Sequence, residues 1–263
     1  NMPKQWILWM LGCVFAAGAH AQMPDPSTEE KKLLVLGEKT RNFYPPDFDS
    51  VSYFSEQFDS VFYALVQQNP ATLQYPFSAL TDSGVCWVTT AADGNFRIYS
   101  WDTWTGGTMH FFHSIWQWKS NGSVHAKLPQ LEEGDPASYC TAIDTVHIQN
   151  QTYYLAITNR IGSTKIGAQA IGAFAMEGDQ LNDTVPMFRN KTETLNALEI
   201  AFDFFDVVDR PERPVKMIHY DPRAHTVDVA VVDEEGHVKP GNERYQLRGR
   251  YFERAGVKQK KKE

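Results

Sequence analysis

Between Phe48 and Gln68 apolar side chains return every three or four residues, at Val51, Phe54, Phe58, Val61, Phe62 and Leu65. That spacing lines one face of a 3.6-residue repeat and predicts an amphipathic helix over 48–68. Asp47 or Asp49 can cap its start, and Asn69-Pro70 ends it, because proline pushes the preceding residue out of helical geometry. After Pro76 the period drops to two. Val85–Thr90 and Phe96–Trp101 read as strands joined at Asp93-Gly94, and Thr108–Lys119 turns at Asn121-Gly122 into Ser123–Leu128. Further strands are expected at Thr141–Gln149, Thr152–Arg160, Gly167–Met176 and Asn196–Phe205, then at Val215–Tyr220, His225–Val232 and Tyr245–Phe252. In Asn196–Phe205 the alternation is clear: Leu198, Ile200, Phe202 and Phe204 face one way, Ala197, Glu199, Ala201 and Asp203 the other.

About ten strands with short connections, and no regular strand–helix alternation, predict a mainly β fold. The expected form is an antiparallel meander, closed as a barrel or stacked as sheets, with one N-terminal amphipathic helix packed on it. No repeat of propeller length is visible. The expected organisation is a cleavable signal peptide over 1–21, a flexible leader over 22–46, a single mainly-β domain over 47–254 and a basic disordered tail over 255–263. The signal rests on Lys4, the apolar run Trp6–Ala17 and the small-residue cleavage pattern Ala19-His20-Ala21. Lipid attachment at Cys13 is the lesser reading, because Leu11 is bulky for that motif. The run is shorter than the ~20 residues of a spanning helix, so no membrane span is expected after cleavage. The mature chain is expected outside the cytoplasm: periplasmic, envelope-associated or secreted.

Composition sharpens this only in places. Aromatic residues make up 13% of the 263, more than a minimal core needs, and exposed rings are what glycan and peptide sites are built from. A net charge of −7, with the basic run confined to Lys258 and Lys260–Lys262, excludes nucleic acid as an expected partner. Loss of Cys13 with the signal leaves Cys86 and Cys140, which are expected to pair; a loop of that length would stabilise by ~4 kcal/mol in an oxidising compartment. Neither has CxxC spacing, so no redox or zinc role is expected, and no cofactor is implied. Asn121, Asn150, Asn182 and Asn190 fit the glycosylation acceptor pattern, but such residues also form turns.

The densest unusual chemistry lies in Arg97–Trp118. Trp101, Asp102, Trp104, His110, Trp116 and Trp118 are the expected ligand-binding residues, an aromatic wall with directed polar groups suited to a glycan or an extended peptide. On a single strand His110, Phe112, Trp116 and Trp118 share a face, and Met109, Phe111, His113 and Ile115 share the other. His110 and His113 therefore point apart, and the Glu of a zincin helix is missing, so no metal site is expected.

Catalytic motifs are absent: there is no GxSxG, no phosphate-binding Gly loop and no cysteine-protease signature. A glycan hydrolase would need two carboxylates ~5 Å or ~6.5–9.5 Å apart, for which Asp93, Asp102, Glu199 and Asp203 are the candidates. The first expectation is an exported, non-catalytic binding protein. The second is an exported hydrolase of envelope polymers, and the third a structural or interaction subunit, which full burial of the four tryptophans would favour.

Overall fold

The computed structural model describes residues 23–42 and 47–258; the expected signal peptide and Cys13 lie outside them. Among the described residues three helices come first: α1 (Pro26–Arg41), α2 (Phe48–Gln68) and α3 (Ser78–Asp82), with a 3-10 turn at Pro70–Leu73. A four-stranded antiparallel sheet follows in chain order: β1 (Trp87–Thr90), β2 (Phe96–Asp102), β3 (Phe112–Ser120) and β4 (Ser123–Lys127). Next come β5 (Tyr139–Ile148), β6 (Gln151–Ile161), β7 (Ile166–Glu177) and β8 (Gln180–Asn182). The rest comprises β9 (Phe188–Arg189), β10 (Thr194–Leu195), β11 (Ala197–Asp203), β12 (Ile218–Asp221), β13 (Thr226–Val232), β14 (Val238–Arg248) and β15 (Tyr251–Lys258). The second sheet has the order β11-β7-β6-β5, with β8 paired to β7; the third has the order β10-β9-β15-β14-β13-β12. The chain is thus mainly β with antiparallel sheets. Its order departs from a meander where β11 returns to β7 and where β9 pairs with β15 in parallel.

Burial follows the sheet faces. From α2, Phe58, Phe62, Leu65 and Val66 cluster with Tyr99, Trp101 and Ile115 on one face of the first sheet. Phe62 meets the Tyr99 ring edge-on at 5.1 Å, and each such buried ring contributes on the order of 1.5–3 kcal/mol. On the opposite face Phe96, Ile98 and Trp118 pack with Cys140, Tyr154 and Phe174 of the second sheet. A third core joins the second and third sheets through Leu155, Ile171, Phe188, Val227 and Phe252. A buried polar network ties the 3-10 turn after α2 to the first sheet. Arg97 donates to Thr72 O (2.8 Å), Tyr75 O (2.6 Å) and Thr90 Oγ1 (2.7 Å), while Gln117 Nε2 donates to Thr72 Oγ1 at 2.8 Å.

Several expectations are corrected. The leader of 22–46 is helical over Pro26–Arg41: Asp25 accepts from Thr28 N, Pro26 sits where a helix lacks an N–H partner anyway, and Lys39 and Arg41 face the carbonyl end. Its buried face is Glu30, Leu33, Gly37 and Thr40. The Glu30 carboxylate accepts from Tyr75 Oη (2.7 Å) and Ala79 N (2.8 Å), so it caps α3. The tail of 255–263 is strand as far as Lys258, because β14 carries partners for it up to Asn242. Tyr245–Phe252 is not one strand but the end of β14 and the start of β15, turned at Gly249 with φ +59°.

The expected Cys86–Cys140 disulfide is not formed: both thiols are free and buried. Cys86 belongs to the helix-side cluster and Cys140 to the cluster on the sheet's other face. Burial pushes the Cys140 thiol up to about 12, so both are protonated packing groups.

Candidate functional site

β2 and β3 pair with Trp101 opposite His113. Both side chains lie on the helix face, where α2 presents Asp59 to them. Trp101 Nε1–H donates to Asp59 Oδ1 at 2.8 Å, and His113 Nδ1 lies 2.6 Å from Asp59 Oδ2. Asp59 follows the core residue Phe58, so the apolar stripe that docks α2 also fixes the carboxylate above the strand pair. Trp101 is only 3% exposed, packed against Phe58 at 5.3 Å and Phe62 at 5.4 Å. Its indole therefore acts as a positioning donor.

A cleft of about 210 Å³ opens over this pair. Asp59 and His113 form its polar part, and Tyr63, one helical turn beyond Asp59, stands beside them. Leu128, Pro129 and Leu131 form an apolar lip, with Leu128 49% and Leu131 42% exposed. The hydrogen bond that His113 gives to Asp59 raises its pKa above the ordinary value, outweighing partial burial, which acts the other way. With Nδ1 committed to Asp59, Nε2 is the ring nitrogen left for a ligand. In the charged form it is a donor, suited to a carbonyl or carboxylate oxygen.

The six expected ligand residues do not line one groove. Trp101 lies on the helix face, whereas Trp116 and Trp118 face the second sheet. There Trp116 meets Phe174 edge-on at 5.2 Å and Trp118 is 4% exposed. Asp102, the last residue of β2, gathers with Trp104 and His110 of the loop before β3, which takes up Thr108–Phe111 and so shortens the expected strand. Asp102 Oδ2 lies 2.5 Å from His110 Nδ1, and its Oδ1 accepts from Trp104 N at 2.8 Å. Trp104 is 39% exposed and stands edge-on to His110 at 5.8 Å. The space beside Asp102 and Trp104 is only about 10 Å³, no more than a water needs. The alternation over Phe112–Trp118 does assign faces as read, with His113 and Ile115 opposite Trp116 and Trp118.

Each candidate catalytic carboxylate has its own partner. Asp93 accepts from Tyr154 Oη at 2.8 Å, Glu199 lies 3.4 Å from Arg160 and Asp203 lies 3.1 Å from Lys165. Asp203 is buried rather than part of a solvent-facing edge. None of the four lines the Asp59–His113 cleft. Asp203, Asp206 and His237 bring donor atoms within 4.8 Å of one another, the set among the described residues that could hold a metal ion. Lys165 already supplies positive charge to Asp203, and Asp206 Oδ2 is taken by His237 Nδ1 and Val238 N.

Asp59, Tyr63, His113 and Leu131 were not among the expected ligand residues. The stripe on α2 marks what the helix buries and carries no signal for the residue at its margin. Compared with known proteins, the chain matches no family model, no curated protein and no solved structure.

Proposed function

We propose that this chain is a non-catalytic binding protein working outside the cytoplasm. In this reading α2, packed on the first sheet, forms one wall of a cleft that takes an extended peptide. The observation that carries the reading is the Asp59–His113 pair at the polar end of an apolar-lipped cleft. Exposed Leu128 and Leu131 suit an apolar peptide side chain, and in its charged form, which Asp59 favours, the His113 ring suits a peptide carbonyl or terminal carboxylate. A flat sugar platform has less support here, because Trp101 is buried and already hydrogen-bonded. A glycan site in the β2–β3 loop is the second reading, favoured by the exposed Trp104 ring beside His110.

Calorimetric titration of the full chain with extended peptides and with peptidoglycan fragments separates the two. The peptide reading expects saturable binding of peptides with an apolar residue near the carboxyl end, weakened about tenfold by His113→Gln. Binding confined to glycans and abolished by Trp104→Ala would move the site to the loop. No saturable binding to either set would end both readings in favour of an interaction subunit.

A further inference from the structure

A second and separate cavity, of about 340 Å³, opens where the ends of β6, β7 and β11 meet β1 and the 204–215 connection. Its walls are aromatic and aliphatic. Trp87 and Tyr139 stack at 4.2 Å on one side, and Phe202, Phe204 and Val215 close the other. The wall is held rigidly. Buried Gln169 donates to Val215 O at 3.1 Å and to Asn159 Oδ1 at 2.7 Å, and accepts from Met217 N and Ile218 N. A Cβ on Gly167 would come within 2.8 Å of the Phe202 ring, so glycine is what lets that ring lie against β7.

Two guanidinium groups and no carboxylate line the cavity. Arg213 stands near the Phe204 ring at 5.5 Å and gives three N–H bonds to the carbonyls of Val208, Arg210 and Glu212. A guanidinium carries five N–H donors, so Nε–H and one Nη2–H remain. No carboxylate pairs with Arg213 among the described residues, in a chain whose net charge is −7. Arg160 is half committed, to Ala137 O at 3.3 Å and to Glu199 at 3.4 Å on the outer side.

We propose that this cavity binds a monocarboxylate with an apolar body, of the medium-chain fatty acid class. Its carboxylate lies on the free edge of Arg213, and Arg160 reinforces it. The aromatic walls cover the chain. A neutral polar ligand leaves the guanidinium groups unmatched, and a bare inorganic anion leaves the walls uncovered.

The test is calorimetric titration of the full chain with decanoate, with 1-decanol and inorganic phosphate as comparison probes. Decanoate is expected to bind saturably at one site and at least tenfold more tightly than either probe. Arg213→Gln weakens it about tenfold, and a 1-decanol affinity equal to wild type shows that the walls survive the loss of the bonds to Val208, Arg210 and Glu212. Glu199→Gln releases Arg160 and tightens it, a gain that misfolding cannot imitate. His113→Gln leaves it unchanged, which separates this site from the peptide cleft. Absence of saturable decanoate binding, equal affinity for 1-decanol or phosphate, or indifference to Arg213→Gln would overturn the proposal.

Discussion

Two residues of α1 show how single positions decide what the whole segment does. Gly37 lies against Val85 so closely that a Cβ would sit 2.3 Å from its Cγ1. Glu30 is 6% exposed and serves the Tyr75 hydroxyl and the backbone N–H groups of Ala79 and Leu80 together. Glu30→Ala is expected to cost about 1–3 kcal/mol, because it strands buried donors while Leu33 and the rest of the helix face stay in place. Chemical denaturation checks this, and a midpoint equal to wild type would remove Glu30 from the account. Neither role was legible beforehand. Of the buried face Glu30, Leu33, Gly37 and Thr40, only Leu33 is a large apolar side chain, so the stretch reads as a polar leader. The partners that make it a helix in the fold, Tyr75, Val85 and Leu80, lie far along the chain.

Among the elements, α2 was legible to its ends, since Phe48–Gln68 carries an unbroken stripe and Pro70 stops it. The faces of Phe112–Trp118 were legible for the same reason, as alternation survives wherever both sides are buried. The start of β3 was not, because pairing with β2 ends at the Thr103 N to Phe111 O bond, and His110 N turns away to Ile161 O at the end of β6. Strands as short as β8, β9 and β10 show no period at all. The coupling of α2 to β3 through Asp59 and His113 carries a pH signature. Because Asp59 raises the folded pKa of His113, the pair's contribution to stability is fully present below the unfolded value of ~6.5. It is lost as pH rises through the higher folded value. The melting-temperature gap between wild type and Asp59→Asn is therefore expected to be widest near pH ~6 and to narrow as pH rises from there through the raised folded value. A gap constant across that range would mean that the two groups are not coupled.

For the whole molecule, the mainly β composition followed from local patterning, whereas the layering did not. Which strand lies against which is set by cross-chain pairs such as Phe96 with Tyr154 and Phe174, and by the return of β11 to β7. The same distance hides the sites. Trp101, Trp116 and Trp118 are close in sequence yet split across the two faces of one sheet, while Asp59 and His113, 54 residues apart, meet. Local density of aromatic residues thus marked one sheet, whose rings the pleat then divides between its two faces. The 210 Å³ cleft and the 340 Å³ cavity each combine wall residues from separate elements with a basic side chain left partly uncommitted.

The most direct measurement follows the His113 imidazole nitrogens by long-range proton–nitrogen NMR while extended peptides are titrated into the full chain. A saturable shift is expected at Nε2, with Nδ1 still held by Asp59, and loss of that shift in Asp59→Asn. Peptide binding that leaves both nitrogens unmoved would contradict a peptide site at this pair.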